Sequence, residues 1–237
     1  MSTNLSGNAL TLNDTSINEE TLKVLSKQYY VPSNFNIGDT VWLDGIECIV
    51  IAKDITIQGC SYRNIAVDKN HDLGWYCKYV GDIWGTKKVS QITEWVWGGS
   101  GTTTGNTSQE VGYGYQNTIN YLSNSANGTN GNSTKDYTDY PSLYRGLNDF
   151  RNVHSDKWFL PSMNEFDLLQ YNEVISKDIF VLMNFDSSTG APNSGEMNFF
   201  WSSSESDNNT ATICSLRNLR GGENKFDHRY VRLFRVF

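Results

Sequence analysis

Residues 199–206 read FFWSSSES, three aromatic side chains followed at once by three serines, a glutamate and a fourth serine. The aromatics belong in a core, because each large ring removes much apolar area from water when buried. The serines are read as the turn where a core strand leaves the interior, with hydroxyls satisfying loop backbone. A nucleophilic serine is the competing reading, and it needs a Gly-x-Ser-x-Gly elbow with an imidazole partner. No glycine flanks these serines, and His71, His154 and His228 stand in no recognisable pairing with them. The stretch therefore predicts a border, with fixed scaffold before it and an exposed segment after it.

Downstream, ATICSLRN (211–218) alternates like a strand, placing Thr212, Cys214 and Leu216 on one face and Ile213, Ser215 and Arg217 on the other. With the first taken as the core face, the second is exposed and adjoins RNLRGGENKFDHRY (217–230), which mixes Arg, His, Phe and Tyr. Such mixtures are enriched at binding hot spots. That surface offers Ile213, Ser215, Arg217, Leu219, Arg220, Phe226, Asp227, His228 and Arg229 as expected ligand-binding residues. Glu205 and Asp207 read as solvated turn acids rather than as a catalytic or Ca²⁺ pair. The closing RYVRLFRVF (229–237) predicts a terminal strand tied into a sheet.

Upstream, PSMNEFDLLQ (161–170) carries a capping box in Ser162 and Glu165, with Met163, Phe166 and Leu169 on a buried stripe. PSLYRGLNDF (141–150) opens on Pro141 and sets Leu143, Leu147 and Phe150 on one helical face. Residues 98–141 are dominated by Gly, Ser, Thr and Asn and predict a long, loop-rich surface excursion, anchored at its middle by GYGYQNTINYL. Its GGSGTTTG lacks the lysine and following apolar helix of a phosphate loop. In GDTVWLDGIECIVIAKD (38–54), Asp44-Gly45 between two β-rich runs signals a hairpin. YRNIAVDK (62–69) and GWYCKYV (74–80) extend the strand character. Residues 1–35 form an N-terminal arm with one short helix, capped by Ser16 and Glu19 and stopped at Pro32, ahead of a folded domain over 36–237.

Composition limits the function classes. A formal net charge of −7 argues against nucleic acid as a partner, since phosphate binding needs clustered Lys and Arg. No run of about 18 apolar residues predicts membrane insertion, and the N-terminal residues lack the layout of a secretory signal. The expectation is synthesis in the cytoplasm followed by incorporation into a virion or display at a cell surface by a non-classical route. Cys48, Cys60, Cys77 and Cys214 have no metal-ligand spacing and are expected as reduced thiols; no metal and no cofactor is implied.

Taken together, KWFLPSMNEFDLL (157–169), FFWSSSES (199–206) and the terminal YVRLFRVF (230–237) resemble the DUF1566 family, also called the Lcl C-terminal domain. That family's pattern runs from W-x-L-P-S-x-x-E-L through Y-W-S-S-T/S-E to a final V-R-P-V-R-x-F. GYGYQNT (112–118) is similar to the family's Gly-x-Gly-x-x-Asn-Thr stretch. Phe166 in place of the usual Leu, and LFRV in place of PVRA, are the departures. The resemblance covers about the second half of the chain, in order. It implies an α+β, C-type-lectin-like domain: a twisted antiparallel sheet with two helices and long loops, the strand near 38–52 paired with 229–237, and helices near 142–152 and 162–171. No Glu-Pro-Asn or Trp-Asn-Asp motif for calcium-dependent sugar binding is present.

The tail is also similar to the variable regions of proteins diversified by retroelements in phages and bacteria, where adenine-directed mutagenesis alters Asn-type codons. From Asp207 to Tyr230 only Glu223 and Lys225 cannot be reached from an Asn codon by changing adenines. These resemblances imply a non-enzymatic recognition protein, of a phage tail, a prophage or a bacterial surface, whose variable binding region over about 206–230 adds Asp207, Asn208 and Asn209 to the residues above and whose partner is a cell-surface protein or glycan receptor. A homo-oligomer is compatible with them. Two alternatives stand beside this reading. One is an oxidoreductase like the formylglycine-generating enzymes, which share the lectin-like architecture but need reactive cysteines, whereas Cys214 stands alone in the C-terminal segment. The other is a structural virion or adhesin component.

Overall fold

The computed structural model describes residues 29–71, 95–99, 108–128, 142–170, 199–215 and 220–237, with residues 73, 101, 103 and 105 and the backbone of short strand segments at 4–6, 9–12, 15–17, 83–84, 87–88, 185–186 and 191–192. The elements that carry the argument are, in chain order, β1 (Tyr29–Tyr30), β2 (Thr40–Leu43), β3 (Ile46–Ala52), β4 (Ile65–Asp68), β5 (Trp95–Val96), α1 (Gly114–Ser123), α2 (Leu143–Val153), β6 (Trp158–Phe159), α3 (Asp167–Gln170), β7 (Phe199–Glu205), β8 (Thr210–Ser215), β9 (Arg220–Asn224), β10 (His228–Arg229) and β11 (Phe234–Val236). They make a mixed α+β architecture, built mostly from antiparallel sheet, with three α-helices among the described residues.

Asp44-Gly45 forms the expected hairpin. Both residues take left-handed backbone, with φ of 55° and 78°, which is what a two-residue turn between twisted strands requires. The Asp44 carboxylate then reaches across the sheet. It accepts two bonds from the buried Arg235 guanidinium, from Nε at 2.7 Å and Nη2 at 2.9 Å, and one from Trp158 Nε1 at 3.0 Å. A turn residue thus ties down β11 and β6, strands from the far end of the chain.

The main sheet has the order β6-β11-β4-β3-β2-β1, with antiparallel neighbours throughout. The terminal strand β11 is interior to it, flanked by β4 and β6, as the closing apolar run predicts. It does not pair with the strand near 38–52: β4 lies between them, because YRNIAVDK supplies an all-buried strand that takes that position. β1, inside the span expected as an arm, pairs with β2.

Strand periodicity divides the core in two. Along β3, Cys48 and Val50 face a cluster with Leu143, Leu147, Phe150, Trp95 and Trp201, while Ile49 and Ile51 face one with Tyr115, Met163, Phe166, Leu169 and Phe200. The two expected helical stretches therefore cover opposite faces of the sheet. The first is α2, close to the predicted bounds. The second begins late. Residues 163–166 are turns and α3 covers only Asp167–Gln170, because Ser162 Oγ donates to Glu110 O at 2.7 Å instead of capping, and only the Glu165 half of the box forms, with Ser162 N–H donating to Oε2 at 2.7 Å.

The excursion over 98–141 is corrected at its centre, where Gly114–Ser123 forms α1 with Tyr115, Asn117, Thr118 and Tyr121 buried. Ser16 lies in a strand (Thr15–Ile17) rather than at a helix cap, and residues 18–28 and 74–80 lie outside the described residues.

Candidate recognition surface and the polar framework beneath it

FFWSSSES forms no turn within β7. Phe199–Glu205 is one continuous strand in a three-stranded antiparallel sheet β7-β8-β9, and Ser202, Ser203 and Ser204 are fully buried. The pairing explains the serines. Trp201 lies opposite Ile213 and Glu205 opposite Ala211, so three serines span the space facing Thr212 alone. Such a bulge strips the strand of regular ladder bonds, and buried backbone must find other partners. The hydroxyls supply them. The Ser202 and Thr212 hydroxyls lie against each other; Ser202 Oγ donates to Thr212 O at 3.1 Å and accepts the Ser204 N–H at 3.2 Å, while Thr212 Oγ1 donates to Ser204 O at 2.9 Å. The Ser203 N–H donates to Pro161 O at 2.7 Å.

The same serines join the other motif stretches. Asn117 Nδ2 donates to Ser108 O at 2.9 Å and to Ser203 Oγ at 3.2 Å, and Ser204 Oγ also donates to Ser108 O at 2.9 Å. Thr118 Oγ1 accepts the Leu160 N–H at 2.9 Å. Buried Glu165 accepts from the amides of Gly112 at 2.9 Å and Gly114 at 3.3 Å through Oε1. Gly114 has no room for a side chain: a Cβ there would lie 2.1 Å from Glu165 Oε2 and 2.7 Å from the Ser162 amide. Burial pushes the Glu165 carboxyl up to about 7, against the pull of the Ser162, Gly112 and Gly114 amides toward the charged form. GYGYQNT, LPSMNE and WSSSE, far apart in sequence, are one buried hydrogen-bond network.

At the end of β7 the chemistry reverses. Ser206, Asp207, Asn208 and Asn209 form an exposed turn. Asp207 Oδ1 accepts the amides of Asn209 at 2.7 Å and Thr210 at 2.8 Å, which holds its carboxyl below the usual carboxylate range. The chain then passes through buried β8 and returns along β9, where Arg220, Gly221, Gly222 and Asn224 are exposed. Arg220 makes a two-pronged ion pair with Asp167 and donates to Asn164 Oδ1 at 2.9 Å. Arg229 pairs with Glu223 at 2.9 Å. Phe226, Asp227, His228 and Arg229 are half-buried, with β10 paired to β5.

Of the expected binding residues, Asp207, Asn208, Asn209 and Arg220 are thus brought to one exposed edge, with Phe226, Asp227, His228 and Arg229 beside them. Arg217 and Leu219 lie outside the described residues. Ile213 and Ser215 are a correction. Both are buried, Ile213 in the core cluster with Trp201 and Ser215 at 2 % exposure, because β8 is the middle strand of its sheet and is covered on both faces. Sequence patterning also missed Asn164 and Asp167, whose only signal is their place beside the Ser162–Glu165 box, and the buried pair Lys225 Nζ–Glu205 Oε1 at 2.6 Å. Cys214 is buried on the opposite side of β8, and burial first, then the Asp167 charge, raises its thiol well above the ordinary range.

No family model, curated protein or solved structure matches the chain.

Proposed function

We propose that the chain is a non-enzymatic recognition protein on a C-type-lectin-like scaffold, a retroelement-diversified component of a phage, prophage or bacterial surface that binds a cell-surface protein or glycan receptor. The observation that carries this reading is the sharp division at Glu205. Before it, the motif side chains are consumed in buried bonds; after it, Ser206, Asp207, Asn208, Asn209, Arg220 and Asn224 expose polar side chains around the β8-β9 hairpin. A rigid scaffold that presents changeable side chains alters specificity without losing the fold. Lys225, one of the two residues of 207–230 outside the adenine-reachable codon set, is fully buried in its pair with Glu205, as a scaffold position would be. The lectin-like part draws support from the interior terminal strand and from helical segments on opposite sheet faces, with the interposed β4 as the departure. A thiol kept protonated in the core, as Cys214 is, gives little support to the oxidoreductase alternative.

The test is binding of the purified chain to a glycan array and to intact bacterial cells. Replacing Asn208, Arg220, Asp227 and His228 together by Ala is expected to abolish whatever binding the natural chain shows while leaving its unfolding transition in place. Unchanged binding would overturn the assignment of this surface. Diversification itself is checked in the genome, where a neighbouring reverse-transcriptase gene and a near-copy of the 3′ end of the coding sequence are expected.

A further inference from the structure

Three segments distant in sequence meet at one buried lysine. Lys225 is fully buried, and its ammonium contacts Glu205 Oε1 at 2.6 Å at the end of β7. Its backbone N–H donates to Asn209 O at 2.9 Å, in the exposed turn. Its carbonyl accepts the Gly98 N–H at 3.0 Å, from the loop that follows β5. A further bond closes the triangle, with the Gly101 N–H donating to Asn208 O at 2.8 Å. The base of that glycine loop is itself fixed, since Trp201 Nε1 donates to Trp95 O at 2.6 Å. Gly99, at φ +66°, lies where a Cβ would come within 2.1 Å of Asn127 Oδ1.

We infer that Lys225 is the positioning residue of the recognition surface, clasping the backbone at Gly98 and Gly101, the 206–209 turn and the 224–228 segment into a single platform, so that the surface extends onto those glycines. Removing two charges from water is costly, and only close, directed contact offsets it. A pair of apolar side chains of similar volume fills the same space without fixing a direction. The salt bridge thus specifies where the end of β9 sits on β7, and the backbone of Lys225 carries that placement to both loops. The exposed Gly101 and the turn at Asn208 move with it. This deepens the recognition reading and rests on it for the purpose of the platform. The measurement below uses the unliganded chain, so a failed clasp and a failed receptor surface are distinguished.

Amide hydrogen exchange on the full chain reads the clasp at three reporters, the amides of Gly98, Gly101 and residue 225, against Val50, whose amide donates to Asp39 O at 3.0 Å in the main sheet. In the natural protein the three reporters are expected to exchange slowly and at matched rates. Lys225→Met leaves Glu205 buried beside an apolar side chain and is expected to speed all three at least tenfold. Because that variant risks unfolding, Glu205→Leu/Lys225→Met removes both charges together: Val50 is expected to stay protected while the three reporters still exchange at least tenfold faster. Unrelated rates among the three in the natural protein, or full protection of all three in the double variant, would overturn the inference.

Discussion

Ser202, Ser203 and Ser204 on β7 and Asp207, Asn208 and Asn209 in the turn beyond it are close neighbours, all polar and opposite in fate. The first three are fully buried and the second three are exposed. What separates them is the supply of partners. Each buried serine faces a group stranded by the bulge or by an adjoining loop: Thr212 O and the Ser204 amide for Ser202, Asn117 for Ser203, Ser108 O for Ser204. In the turn, the Asp207 carboxylate bonds the local backbone, the amides of Asn209 and Thr210, and stays at the surface. A buried polar group that finds its bond costs little, and one that does not is expensive. Polarity alone therefore assigns no side; the bonding of both partners does.

The comparison is tested most severely at Glu165, a carboxylate in the buried network whose ionisation burial opposes. Its folded value of about 7 lies above the ordinary 4.5, so the folded state holds its proton more tightly than the unfolded chain. The stability this contributes is complete below pH 4.5 and is lost as pH rises through about 7. At about 1.4 kcal/mol per unit, the difference amounts to about 3 kcal/mol. Urea denaturation of the natural protein and of Glu165→Gln across pH 5 to 8 checks it: the variant, which cannot ionise, is expected to gain stability relative to the natural protein by up to about 3 kcal/mol over that range. Parallel pH profiles would mean that the three amide donors offset burial completely.

Next in size is the bulge. Ser202→Ala deletes the hydroxyl that Ser204 N–H donates to and that donates to Thr212 O. The backbone groups stay buried without it, and the expected loss is about 2 kcal/mol, read as a lower urea midpoint at unchanged slope. A loss under about 0.5 kcal/mol would show that water or a backbone shift satisfies the bulge equally well.

Much of the scaffold is legible locally. Asp44-Gly45, the α2 stripe of Leu143, Leu147 and Phe150, and the apolar terminal strand each carry their signal within a few residues, and each forms. The failures share a cause. Gly, Asn and Thr are weak helix formers, so Gly114–Ser123 looks like loop until Asn117 and Thr118 are seen bonding to Ser108, Ser203 and Leu160. Even there, Tyr115, Ile119 and Leu122 keep a helical spacing that was available. β8 alternates as though one face were solvated, but its second cover comes from Phe166 and Phe200 on one side and Trp201 on the other, elements its own sequence does not mention. Lys225 and Glu205 lie 20 residues apart and read as ordinary surface charges. Within the candidate surface, the exposed turn and hairpin were legible by composition, whereas the buried positions interleaved with them were not.

The smallest expected effect is the other half of the opening comparison. Asn208 is exposed in the turn, and among the described residues its bond is the one its backbone carbonyl accepts from the Gly101 amide. Asn208→Ala leaves that carbonyl in place and removes a side chain that water solvates equally well in both states. Stability is expected to change by less than about 0.5 kcal/mol, measured by the same urea titration as Ser202→Ala. The ratio of the two losses is the informative quantity. If Asn208→Ala costs as much as Ser202→Ala, the turn is part of the bonded framework and the border at Glu205 lies further along the chain. If it costs nothing while Ser202→Ala costs about 2 kcal/mol, five residues separate a position the fold holds fixed from one it leaves free to vary.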